Sequence, residues 1–220
     1  AGWGEAENAQ SLEAVAAHVP RGTARLVVLG SGAGRLAYDL HEHCAQASTI
    51  AVDINPFLAR IGALAAAGGS WPLHEFPMAP RRLADVAVAR QLRAPAPARP
   101  GLSFVLGDVR RPPFRPGTAD VVVTPWLVDV VDEQFPVLAA RINALLAPGG
   151  RWICFGSLNF GGADVVARYR LEEVCEVMEA AGFATPQVCE HTLPYLRCAE
   201  SRHSRVEEVV VLAAPRVRGV

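Results

Sequence analysis

The stretch VVLGSGAGRLAYDL, Val27 to Leu40, passes from an apolar β-branched segment through three alternating glycines into a helical pattern. A strand that turns on glycine straight into a helix is the opening unit of an open α/β sheet, and it restricts the fold more than any other feature here. The pattern recurs down the chain. Strand-like runs at Arg25–Leu29, Thr49–Asp53, Ser103–Leu106, Asp120–Thr124 and Arg151–Phe155 alternate with helical periods at 35–43, from Asn55-Pro56 onward, at 134–146 and at 171–178. Two closing strands follow, near Val188 and at 208–213, and a helix over Ser11–His18 precedes the first strand. Strands alternating with helices predict an α/β, doubly wound sheet with buried parallel strands. The expected organisation is a helical N-terminal segment at 1–24, then one Rossmann-like domain over 25–220.

Between Gly68 and Leu102 the rhythm breaks. This Pro-rich insertion at 68–102 carries one helix-like piece, Arg82 to Leu92, and its length inside a compact domain predicts a lid or binding loop.

Composition excludes several function classes. Twenty-one basic residues, all arginine, stand against 22 acidic ones, so no bulk positive charge is available for nucleic acid. Charges interrupt each apolar run before membrane-spanning length. Five cysteines without a CxxC pair read as reduced thiols, and a cytoplasmic location is expected. Ala1 is not followed by a basic and then apolar segment, so no secretory signal is expected, and residues upstream of Ala1 are left open. His41, His43 and Cys44 would point to different faces of one helix, which predicts no metal site.

In such sheets ligands bind beyond the carboxyl ends of the strands. Gly30, Gly32 and Gly34 permit tight turning and close backbone approach. A dinucleotide site asks for a small residue where this chain has Arg35, and the G-x-G-x-G spacing is instead that of S-adenosylmethionine enzymes. Asp53 ends the second strand, where a carboxylate can take both ribose hydroxyls. Asp108, after the next strand of the series, can accept from an adenine amino group. With Ser31, Arg35, Ile54, Val109 and Thr124, these are the candidate cofactor residues.

VLGSGAG, AVDIN, FVLGDV and LLAPGGRWICFGSL, in this order, resemble the motif series of class I S-adenosylmethionine-dependent methyltransferases. More narrowly, GSGAGRLAYDL, TPWLVDVV, PGGRWICFGSL and YRLEEVCEVMEAAGF resemble the carnosine N-methyltransferase family, over roughly Val27 to the C-terminus. The resemblance implies a doubly wound, mostly parallel, seven-stranded Rossmann-like sheet with an antiparallel last strand, S-adenosyl-L-methionine as cofactor and a small-molecule acceptor. It also implies that Asp129 meets the imidazole to be methylated, with Trp126 beside it. Where that family carries a substrate-binding histidine, this chain reads SLNFGG, which makes Phe160 a candidate acceptor contact. His203, in CAESRHSRVEE, is another.

The chemistry fits on its own terms. Methyl transfer from a sulfonium is an in-line displacement, so the protein chiefly aligns the reactants and excludes water. A carboxylate at Asp129 would hold one imidazole N–H, fix the tautomer and stabilise the cation that forms. Trp126 would stack on a flat or cationic acceptor. An acceptor that is another small amine, a nucleic-acid base (TPWL faintly resembles the motif of base-amino methylating enzymes), and a non-catalytic cofactor-binding role remain the alternatives.

Overall fold

The computed structural model describes residues 4–160, 168–195 and 197–219. Along the chain run α1 (Glu5–Ala16), β1 (Arg25–Leu29), α2 (Arg35–Cys44), β2 (Ser48–Asp53), α3 (Pro56–Ala66), β3 (Ser70–Glu75), β4 (Val88–Arg93), β5 (Leu102–Leu106), β6 (Ala119–Pro125), α4 (Phe135–Leu145), β7 (Leu146–Gly156), α5 (Leu171–Ala180), β8 (Gln187–Tyr195) and β9 (Arg205–Pro215). Seven strands form one sheet in the order β5-β2-β1-β6-β7-β9-β8. The other pairings are parallel, as the alternating sequence pattern predicts, and β9 is antiparallel to both of its neighbours, as the methyltransferase resemblance implies.

The buried β-branched runs explain why the parallel strands sit centrally. Val121, Val122 and Val123 of β6 are all buried, because helices cover both faces. One face packs Phe135, Leu138 and Ile142 of α4 and Val174 and Met178 of α5 on Trp152. The other packs Ala14 and Val15 of α1 and Leu36, Ala37 and Leu40 of α2 on Leu26 and Val28. Helix α1 therefore shares the core of the main domain. It begins at Glu5, earlier than its apolar pattern predicts, because the Glu7 carboxylate accepts the N–H of Gly4 and closes the first turn.

The insertion departs from expectation. In place of a helix over Arg82 to Leu92 there is one 3-10 turn, Leu83–Asp85, followed by β4, which pairs antiparallel with β3. Cross-strand partners such as Trp71 with Leu92 and Leu73 with Arg90 override the local helical preference. The hairpin packs along α3 at one end. At the other it is pinned to the β8–β9 loop by a Pro80–Ser201 bridge, the Arg81 N–H on the Glu200 carbonyl, and the Arg202 N–H on the Ala79 carbonyl. No described helix is long and apolar enough to cross a membrane.

Candidate active site

At the end of β1 the glycine turn is built for two different purposes. A Cβ on Gly30 would lie 2.7 Å from Leu127, and one on Gly34 would lie 2.3 Å from the Phe104 ring, at φ +79°. These two glycines make room for the protein's own side chains. Gly32 differs, since nothing lies within 4 Å of its Cβ position, and its backbone opens onto space. Behind the turn, Asp53 Oδ2 accepts the Gly32 N–H at 2.7 Å and Oδ1 accepts the Asn55 N–H at 2.8 Å. Each oxygen keeps acceptor capacity for a second donor. Asn55 in turn caps α3, accepting from Phe57 and Leu58, with Pro56 in the first turn.

A cleft of about 320 Å³ lies over this turn, bounded by α3 at Gly62, the end of β4 at Leu92 and Arg93, and Trp126 after β6. Of the predicted cofactor residues, Gly30, Ser31, Gly32, Gly34 and Arg35 line it. Among the described residues, the buried Ser31 Oγ has no hydrogen-bond partner. Ile54, at the end of β2, and Leu106, at the end of β5, stand 62% and 58% exposed on adjacent strands. Val109 packs partly against the core.

Two predicted positions are otherwise engaged. Asp108 is gripped by its neighbour Arg110, which donates from the backbone N–H, Nε and Nη2 at 2.8 to 3.1 Å. These hydrogen bonds hold the Asp108 carboxyl below the usual carboxylate range. A further donor reaches Asp108 only by displacing part of that grip. Thr124 is fully buried, and its hydroxyl accepts from Trp152 Nε1 at 2.9 Å inside the sheet, so it faces the core instead of the cleft.

Beyond β6 the chain turns at Trp126, whose φ of +50° is unusual for a bulky residue. Its N–H bonds the Phe155 carbonyl at 2.7 Å, and Gly156 lies against its Cα. The indole meets the Phe155 ring edge-on at 5.8 Å and lies 4.6 Å from the Tyr195 ring. Asp129 is three residues on, half-buried, with Oδ2 accepting the Asn159 N–H at 2.6 Å. The preceding Leu158 is also left-handed, at φ +51°. Two non-glycine residues in this region, at the ends of adjacent strands, mark local strain of the kind found at functional sites.

Burial pushes the Asp129 carboxyl above its ordinary range, outweighing the Asn159 hydrogen bond that favours the charge, and Glu207 reinforces the rise. Burial likewise raises the Tyr195 phenol; Arg205 opposes the shift, while Glu207, Asp129 and Glu7 add to it. Trp126, Tyr195, Asp129 and Glu207 thus form one aromatic and acidic cluster. Arg205 lies 5.3 Å from the Tyr195 ring centroid and pairs with Glu207.

The remaining candidates sit elsewhere. Phe160 is buried against Phe135 and Tyr169 in the α4/α5 core. The following Gly161 and Gly162 of the SLNFGG stretch lie outside the described residues. His203 is exposed in the β8–β9 loop and lines a second cleft, under the hairpin. The sequence reading missed Tyr195 and Glu207. Their only signal is topological: β8 runs parallel to β6, so its last residue arrives at the same end of the sheet.

A family model described as a methyltransferase domain matches residues 82–154. It is a general description and does not separate out the carnosine N-methyltransferase family. No curated protein matches the chain. Among solved structures, the chain is similar to an S-adenosylmethionine-dependent methyltransferase from Thermotoga maritima, described as a possible histamine N-methyltransferase: TM-score 0.60, 17% identity, 96% of this chain and 90% of that one. An Aquifex aeolicus S-adenosylmethionine-dependent methyltransferase matches at TM-score 0.61 and 11% identity, with the same coverage. A methyltransferase from Haloferax volcanii, in complex with the Trm112 methyltransferase activator, matches at TM-score 0.64 and 13% identity, again covering 96% and 90%. These likenesses establish the class I methyltransferase fold. Together with the matched domain they imply S-adenosyl-L-methionine as the cofactor.

Proposed function

We propose that this chain, which carries methyltransferase-domain sequence on a class I methyltransferase fold, is an S-adenosyl-L-methionine-dependent N-methyltransferase of small molecules, with an imidazole or related amine as acceptor. The cofactor half rests on the glycine turn. The buried, unpartnered Ser31 Oγ and the open space at Gly32 suit a polar ligand pressed against backbone. Asp53 keeps one acceptor position per oxygen for a pair of ribose hydroxyls, and exposed Ile54 and Leu106 suit the two faces of a flat ring. Gly30 and Gly34 would act indirectly, by letting Leu127 and Phe104 set the turn.

The observation that carries the acceptor half is the half-buried Asp129 carboxylate, held by Asn159 beside the Trp126 and Tyr195 rings. When bound, the cofactor supplies an electrophilic methyl on a sulfonium. Asp129 would hold the acceptor N–H, leaving the other ring nitrogen nucleophilic, and would stabilise the positive charge that develops as the methyl arrives. The two rings would exclude water and favour a cationic product. The Thermotoga maritima relative's description as a possible histamine N-methyltransferase is in keeping with this acceptor class.

Thermal shift tests the cofactor reading. S-adenosylhomocysteine should raise Tm by mass action, and Asp53→Ala should reduce that rise. A rise with NAD and none with S-adenosylhomocysteine would reject it. Labelled-cofactor assays on histidine, histamine and carnosine test the acceptor reading.

A further inference from the structure

A second cleft, of about 300 Å³, lies between the hairpin and the β8–β9 loop. It adjoins the reacting end of the site through one wall: Tyr195 lines it and stacks on Trp126, which lines the glycine-turn cleft. The hairpin side mixes apolar side chains with His74, Glu75 and Arg90. Leu73, Phe76 and Met78 face the cleft, and Phe76 and Met78 are 73% and 76% exposed, an unusual amount of bare apolar side chain on a short hairpin.

The charges around this cleft are already committed. Arg90 is shared between Glu75 at 2.9 Å and Glu200 at 2.6 Å, and Arg205 is paired with Glu207. Three carboxylates thus share the two arginines, and Asp129 acts on Tyr195 from beside the cleft. Both arginines that line the cleft are therefore already paired. His74 and His203 add ring nitrogens that hydrogen-bond a neutral group as readily as a charged one. A ligand carboxylate would have to compete with Glu75, Glu200 and Glu207 for these two arginines, and would lose its water on entering a partly apolar space. An ammonium or imidazolium would instead add a counter-charge to Glu207 and Asp129, which both act on Tyr195 in the shared wall.

We infer that the cleft under the hairpin holds the tail of the acceptor, and that it selects an amine with an apolar or aromatic body and no carboxylate. The inference rests on the methyltransferase reading and narrows its acceptor class. The 68–102 insertion thereby becomes the specificity element of the enzyme, and Phe76 and Met78 its contact residues.

The test is calorimetric binding to protein saturated with S-adenosylhomocysteine, using probe pairs that differ only by a carboxylate: histamine and histidine, tryptamine and tryptophan, phenethylamine and phenylalanine. At least one amine should bind about tenfold or more tighter than its amino acid, the order expected when a charge is desolvated where its partners are already taken. Glu207→Gln should narrow that gap. The double variant Phe76→Ser, Met78→Ser alters two exposed side chains, so it should fold; it should weaken amine binding about tenfold and leave the S-adenosylhomocysteine Tm rise unchanged. Equal or tighter binding of the amino acids, wild-type affinity in the double variant, or no binding of any probe would each overturn the inference. In all three cases a retained S-adenosylhomocysteine shift leaves the cofactor reading standing, and only loss of that shift in the wild type removes it.

Discussion

The backbone N–H of Asn159 donates to Asp129 Oδ2 at 2.6 Å, joining the loop after β7 to the loop after β6. This bond fixes the carboxylate that the proposed chemistry uses. Asp129→Asn keeps a side-chain oxygen for Asn159 and removes the charge. Turnover should fall about 100-fold or more, the scale of one positioned proton acceptor or electrostatic group, while the S-adenosylhomocysteine Tm rise persists. Asp132→Asn is the control and should stay near wild type in a steady-state assay.

The pH profile follows from the same residue. Burial raises the Asp129 carboxyl above its unfolded value, so the protonated form persists to higher pH than for an ordinary aspartate. kcat should fall on the acid side with an inflection above the usual carboxylate range. In Asp129→Asn that limb should vanish. The stability sign is opposite to that of a salt-bridged acid. The contribution of Asp129 is fully present below its unfolded pKa and lost as pH rises through the folded one, so Asp129→Asn should gain stability relative to wild type toward neutral pH, measured by denaturant melts.

Gly34 and Gly32 should separate stability from binding. An alanine at 34 meets the Phe104 ring and a left-handed backbone, and should cost about 2–4 kcal/mol in urea melts. An alanine at 32 meets no atom and should cost only the left-handed strain, about 1–2 kcal/mol. Yet Gly32→Ala is the variant that should lose the S-adenosylhomocysteine Tm rise, because its methyl would project into the open space.

Arg90 ties β4 to β3 through Glu75 and to the β8–β9 loop through Glu200. These partly exposed pairs are worth under about 1 kcal/mol each, so Arg90→Gln should barely move Tm. Amide exchange in the hairpin should nevertheless quicken several-fold, since local opening responds to local contacts. In the wild type, S-adenosylhomocysteine plus an amine probe should slow exchange there if the hairpin closes over its ligand. Unchanged protection would make it a passive cover.

What the sequence determined by itself was local or periodic. The strand–turn–helix at Val27 to Leu40, the acids at strand ends such as Asp53, and the alternation that dictates a parallel sheet all depend on neighbours within a few residues. Hence the fold class and the glycine turn were legible. Tertiary structure decided what those residues face. Phe104, seventy residues from Gly34, explains why that position is glycine, and Trp152 withdraws Thr124 from the cleft. Pairing with β3 turned the helical pattern of 82–92 into a strand. The Trp126–Tyr195 stack and the carboxylates around it join the ends of β6, β8 and β9. No periodicity encodes such a meeting, because it depends on which strands end side by side once the sheet has closed its order.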